Sequence, residues 1–383
     1  SRSAGEIIAE VNTAVEQGVH RGNPDANVIV WDWGWPDGEA EAIIQALPKS
    51  VWLQSVSEWS TPIQRGGIDS VVGEYSISAP GPGPRASRHW QFAQSAGLRT
   101  MAKVQFNNTW ELAAIPYLPV LDLVAEHAGN LAQADIDGMM LSWSLGGYPS
   151  PNLEVSAEFF RTPDAAADAV LQRIAERRYG TGADQARTAW SRFSEAMRQF
   201  PYHIAVLYNG PQNAGPMNIL FPQATGYNAT MVGFPYDALN AWRGPFPPEI
   251  FAQQFDRLAE AWMEGLFPLQ AAVAAAPAER KADALAELRF AKAAAMHFKS
   301  AANQTRFIQL RDRLNTGTGL DNDALNQELK ELLTSEIEVA KTLWSQARAD
   351  SRIGYEASNH YFYLPIDLVE KVLNCQHLLE HYR

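Results

Sequence analysis

The chain has 383 residues, with 31 basic against 43 acidic side chains and a formal net charge of −12, and no basic run interrupts that balance. This argues against a nucleic-acid backbone or an anionic membrane as partner. A hydrophobic fraction of 46% with ordinary Gly and Pro indicates a globular protein long enough for two domains, and the single Cys375 rules out an intrachain disulfide or a thiolate metal cluster.

Residues 1–155 alternate between helix and strand. Ile7, Ile8, Val11, Val15 and Val19 have helical spacing. Val28–Trp31 reads as a buried strand ending at Asp32-Trp33-Gly34-Trp35, and Glu39–Ala46 as a short helix. Val51–Val56 is a strand ending at Ser57-Glu58-Trp59. Ser70–Ile77, which contains Glu74, follows the Gly66-Gly67 turn and reads as a hairpin arm or a core strand. After the Pro80–Pro84 loop come a helix over Arg85–Ser95 and a strand over Thr100–Phe106. Helix Pro119–Leu131 then leads to a strand at Gly138–Leu141 that ends in Ser142-Trp143. This order predicts a parallel sheet with right-handed crossovers and a ligand edge at the strand carboxyl ends. About four parallel strands are visible, whereas a closed barrel needs eight, so the sheet is either open or the second half of a barrel.

From about Val155 the periodicity turns helical, over Ala165–Tyr179, Ala183–Phe200, Pro248–Leu266, Ala278–Leu314, Asp323–Ser351 and Pro365–Tyr382. Tyr202–Gly244 lacks a helical period and reads as a long connection lying over another part of the fold. No transmembrane-length apolar run and no signal peptide are visible. Opening at Ser1 without Met reads as a processed or truncated product, which leaves export and cytoplasm open and slightly favours export.

The chemistry gathers behind the strands. Asp32, Glu58, Glu74 and Glu111 are the candidate catalytic carboxyls, because glycoside hydrolysis takes an acid and a base or nucleophile on either side of the bond. Each also suits a salt bridge or cap, and Glu111 suits the first turn of a helix starting at Thr109. Amides and indoles suit a polyhydroxylated ring, pairing with its hydroxyls and covering its apolar face. Trp33, Trp35, Gln105, Asn107, Asn108, Trp110 and Trp143 are therefore candidate substrate contacts. Tyr148, Asn152 and Glu154 sit in a Pro-rich stretch that reads as a rigid loop on the substrate rim. Tyr355–Tyr363 reads as an aromatic plug between the two parts. His377 and His381 are one helical turn apart but lack a further acidic signature, and neither a phosphate loop nor a nucleophilic-Ser elbow occurs. No metal and no cofactor is expected.

Trp31-Asp32-Trp33-Gly34-Trp35, Lys103–Glu111, Leu141–Pro149 and Arg352–Tyr361 resemble bacterial glycoside-hydrolase-like proteins that are distantly similar to the β-hexosaminidase group. The resemblance implies the latter half of a (β/α)8 TIM-barrel-like catalytic domain over 1–155 and a helical C-terminal domain over 156–383, α/β followed by all-α. It implies a glycosidase releasing a terminal sugar, an N-acetylhexosamine or related hexose, and places Trp143 as a wall of the sugar pocket. The group's Asp-Glu pair is missing from this chain, so the acid is expected upstream if the group's mechanism holds. The alternatives are a carbohydrate-binding or scaffold module without catalysis, and a fragment completed by an N-terminal segment or by a second copy.

Overall fold

The structure, a computed structural model, describes residues 2–142, 148–230, 233–317, 322–356 and 360–382. Trp143 lies outside the described residues, as does part of the Tyr355–Tyr363 stretch. The first helix starts where a polar side chain can serve orphan amides. The Ser3 hydroxyl accepts the Glu6 N–H at 3.1 Å, and the Glu6 carboxylate accepts the Ser3 N–H at 2.8 Å, ahead of α1 (Ala4–Gly22).

Strand and helix then alternate as expected: β1 (Val28–Trp31), α2 (Ala40–Ala46), β2 (Val51–Val56), the pair β3 (Pro62–Arg65) and β4 (Ile68–Val71), α3 (Pro84–Ser95), β5 (Arg99–Lys103), α4 (Leu121–Gln133) and β6 (Gly138–Met140). Strands β1-β2-β5-β6 form one sheet in that order with parallel pairing throughout, while β3 and β4 form a separate antiparallel hairpin. Val28, Val30, Val51 and Leu53 bury one sheet face against Ile44, Leu47 and Ala93 of the flanking helical layer. Among the described residues these four strands make an open sheet rather than a closed barrel.

Three sequence expectations change. The run from Ser70 is strand only to Val71, so Glu74 sits in irregular chain beyond the hairpin. No helix starts at Thr109; a Thr109–Leu112 bridge closes a turn instead, and the next helix begins at Leu121. The expected loop from Tyr148 to Glu154 becomes helical at Pro151. The Ser150 hydroxyl accepts the Leu153 N–H at 3.2 Å and Pro151 needs no N–H partner in the first turn, so α5 (Pro151–Arg161) starts there.

The rest is helical: α6 (Ala167–Tyr179), α7 (Ala183–Met197), α8 (Ile204–Asn209), α9 (Leu239–Trp242), α10 (Pro248–Ala275), α11 (Lys281–Thr316), α12 (Asn322–Ala349) and α13 (Pro365–His381), with a small hairpin of β7 (Tyr355–Glu356) and β8 (His360–Tyr361) before α13. Trp262 of α10 packs between Phe193 of α7 and Phe298 of α11, at ring distances of 4.5 and 5.4 Å. One buried cluster runs from Val56 through these helices to Tyr382, so strand-rich and helical parts share a core. None of the helices described is long and apolar enough to cross a membrane.

Candidate active site

The carboxyl ends of β1, β2 and β5 bring Asp32, Glu58 and Lys103 to one edge, and the chain after β4 lays Glu74, Tyr75 and Ser76 beside them. The long connection after α7 returns Tyr202 and Tyr208 to the same place. Tyr202's hydroxyl accepts the Glu74 N–H at 3.2 Å, and Tyr208's hydroxyl donates to the Glu74 carboxylate.

Two of the four candidate carboxyls are absorbed by the fold. Asp32 is buried, 3.2 Å from the Arg85 guanidinium and 2.6 Å from His89 Nδ1, and accepts from the Ser55 hydroxyl at 2.6 Å. Glu111 is also buried and accepts four bonds, from the Ser76 and Ser78 hydroxyls at 2.7 and 2.6 Å and from the Ile77 and Ser78 N–H groups, each at 3.0 Å. Burial raises the Glu111 pKa while these bonds pull it down. Its role here is to clamp the chain at 76–78.

Glu58 and Glu74 are situated differently. Glu58 is fully buried, and no donor meets hydrogen-bonding geometry at either oxygen. His127 Nδ1 lies 3.4 Å from it, with Nε2 of the same ring 2.8 Å from the Ser57 hydroxyl. Burial pushes the His127 pKa down to about 3, so the ring is neutral. Burial also drives the Glu58 pKa well above the carboxylate range. The Glu58 backbone N–H opposes that rise, Glu111 adds to it, and Lys103 and the Ser76 N–H oppose it more weakly. The loop Pro80–Pro84 presses closely on this strand end. A Cβ at Gly81 would fall 2.7 Å from the Ser57 hydroxyl, and one at Gly83 would overlap the Trp59 carbonyl. Glycine is therefore required at both positions.

Lys103 donates to the Ser142 carbonyl and stands 5.4 Å from the Tyr75 ring. Burial lowers its pKa to about 8, with Glu58 opposing the shift. The buried Tyr75 hydroxyl and Gln105 Nε2 have no hydrogen-bond partner. Glu74 accepts from Trp33 Nε1 as well as from Tyr208, and Trp33 is 49% exposed. Trp110 is buried with its ring 6.1 Å from that of Tyr208. The edge therefore holds a carboxyl whose pKa burial raises, a carboxyl gripped by two donors, and indoles around it. That set can donate and accept protons.

The other candidates are spread through the scaffold. Trp35 packs into the core behind the sheet. Gln105 Oε1 accepts the Trp110 N–H at 2.8 Å. Asn107 holds the Tyr148 carbonyl at 2.8 Å, Asn108 the Ala113 and Ile115 carbonyls, and Asn152 the Phe106 and Leu118 carbonyls. Tyr148 points its hydroxyl to Arg352 and packs on Tyr117 at 6.0 Å. Glu154, on α5, pairs with Arg177 and Arg178 at 2.6 and 2.7 Å. Sequence reasoning did not single out Lys103, Tyr75, His127 or Tyr208. A cavity of about 150 Å³ lined by Leu131, Met139 and Phe159 is bordered by none of the site groups.

Protein-family models and curated proteins give no match to the chain. Among solved structures it is similar to a GH138 enzyme targeting pectin rhamnogalacturonan II, with 13% identity and a TM-score of 0.50 over 94% of this chain. The chain spans 45% of that enzyme's length. The likeness is one of fold. The resemblance to β-hexosaminidases in particular gains no support from it.

Proposed function

We propose that the chain carries part of the active site of a glycoside hydrolase that releases a terminal sugar. The carrying observation is Glu74, a carboxylate held by Trp33 Nε1 and the Tyr208 hydroxyl at the sheet's carboxyl edge, beside a half-exposed indole face. A sugar seated on Trp33 meets Glu74 as base or nucleophile. Glu58, whose pKa burial raises, is the proton donor in this reading. The Tyr75 hydroxyl and Gln105 Nε2 are then available to sugar hydroxyls. The sugar is a hexose or N-acetylhexosamine, and the neighbour's pectic target places acidic oligosaccharides in the same trial. A binding module without catalysis is the second reading, favoured by the full engagement of Asp32 and Glu111 in the fold.

The test titrates the protein with aryl glycosides and pectic oligosaccharides while indole emission and sugar release are followed. We expect saturable quenching, about tenfold weaker binding in Trp33→Phe, and loss of turnover in Glu74→Gln at unchanged melting. Failure of every sugar to bind overturns the carbohydrate reading. Undiminished turnover in Glu74→Gln removes Glu74 from the mechanism, and binding without turnover in the unmodified protein selects the binding module.

A further inference from the structure

Three buried groups at the end of β2 stand in a line. The Ser57 hydroxyl lies 2.8 Å from His127 Nε2, and His127 Nδ1 lies 3.4 Å from Glu58 Oε1. Ser57 and Glu58 are neighbours in the chain, while α4 contributes His127 from 70 positions beyond Ser57. The ring is fixed on its other sides. Phe106 meets it edge-on at 5.1 Å, and a Cβ at Gly81 would lie 2.9 Å from Nε2. Asn130, one turn further along α4, donates to the Gly81 carbonyl at 2.9 Å and holds that loop against the ring.

Hydroxyl, imidazole and carboxyl in this order suit a nucleophile triad, but an attacking serine needs open space at its oxygen. Gly81 occupies that space, where a Cβ would fall 2.7 Å from the Ser57 hydroxyl. The line therefore acts on Glu58, and counting protons gives its direction. A neutral imidazole carries one N–H, and burial keeps His127 neutral. With that proton on Nε2 the ring donates to Ser57, whose own O–H then has no acceptor, because His127 is the one side-chain partner of this hydroxyl among the described residues. Nδ1 would also have to take Glu58's own proton, turning it away from any substrate. With the proton on Nδ1, Ser57 donates to Nε2 and the ring donates toward Glu58, so every proton has an acceptor. The 3.4 Å gap is a few tenths of an ångström beyond a hydrogen bond, which a small rotation of the Glu58 side chain closes.

We propose that Ser57 and His127 are positioning residues for Glu58. Donors run one way, from the Ser57 hydroxyl to Nε2 and from Nδ1–H to Glu58 Oε1, so Oε2 carries the carboxyl proton and Oε1 keeps a donor once that proton has left. The role rests on the reading of Glu58 as proton donor. Other groups bear on Glu58 from other elements. Lys103 of β5 and the Ser76 N–H favour its ionised form, Glu111 disfavours it, and Tyr75 and Tyr202 lie within its field.

The first measurement needs no substrate. Two-bond proton–nitrogen spectra of the protein labelled with 15N-histidine show which ring nitrogen holds the proton, His127 being the ring that shifts in Ser57→Ala. We expect Nδ1–H from about pH 5 to about pH 9 and a mixture of tautomers in Ser57→Ala. An Nε2–H ring, or a ring charged in that range, overturns the proposal. The second measurement is the titration of Glu58, followed by carboxyl 13C shifts and by the alkaline limb of aryl-glycoside turnover. His127→Phe removes the donor and should move both upward by about one pH unit. His127→Asn, whose amide can donate from the place of Nδ1, should restore most of that shift. Lower melting with an unmoved titration makes the pair structural and overturns the proposal. If the unmodified protein turns over no glycoside, the sugar reading fails, and the tautomer with the carboxyl titration still decides the donor chain. The tautomer is read in the unmodified protein, so the result stands even if the His127 variants misfold.

Discussion

Glu111→Ala removes the acceptor for four donors at once, in a site sealed from water. The Ser76 and Ser78 hydroxyls, 3.1 Å apart, can turn to each other. The Ile77 and Ser78 N–H groups have fixed directions and no such freedom. Stranding each costs about 1–3 kcal/mol, so the substitution is expected to cost about 2–6 kcal/mol. That is a large share of the 5–15 kcal/mol typical of a folded domain. Glu111→Gln keeps an oxygen for the two N–H groups and offers its NH2 to hydroxyls that can rotate to accept. It is expected to cost only about 1–2 kcal/mol. Urea denaturation followed by circular dichroism measures both, and sugar release is assayed in parallel. An alanine variant within about 1 kcal/mol of the unmodified protein refutes the clamp. A Gln variant that is stable but inactive restores Glu111 to catalysis.

Asp32→Asn leaves the buried Arg85 guanidinium with only the exposed Asp37 as counter-charge and should cost up to about 3–5 kcal/mol in the same denaturation assay; a loss under about 1 kcal/mol would show the Asp32 pair to be idle. Burial raises the folded pKa of Glu58 above its unfolded value, so its contribution to stability is complete below about pH 4 and is lost as pH rises through the folded value. Glu58→Gln should therefore gain on the unmodified protein between pH 4 and pH 8, and an equal difference at both would contradict the shift. His127 runs the other way. With a folded pKa near 3 against about 6.5 unfolded, its contribution is present above pH 6.5 and lost on acidification at up to about 1.4 kcal/mol per pH unit. His127→Gln should flatten that loss, and an unchanged acid limb would disprove it.

The strand–helix order of the first 155 residues was legible because the period of apolar residues is a local property. Val28–Trp31 and Val51–Val56 form strands at the expected positions, and α3, α10 and α11 begin within a few residues of where their patterns start. The misread segments are those whose local signal has two solutions. Ser150-Pro151 can rigidify a loop or open a helix, and the backbone around it chose the helix. Thr109-Trp110-Glu111 has the composition of a helix start, yet Glu111's side chain is committed to Ser76, Ile77 and Ser78, more than thirty positions upstream.

The sequence by itself determined which residues can carry charge, cover a sugar face or build a parallel sheet, because those are properties of residue type and spacing. It placed Asp32, Glu58, Glu74 and Glu111 behind the strands as equals. Only the tertiary structure separated them. Partners distant in sequence satisfied Asp32 with Arg85 and His89, and Glu111 with the 76–78 chain, while Glu58 was left buried with no donor in full hydrogen-bonding geometry. Glu74 gained Trp33 from one side of the chain and Tyr208 from the long connection that follows α7. A carboxyl's proton affinity and availability depend on what surrounds it in space, and that surrounding is written nowhere in the residues next to it.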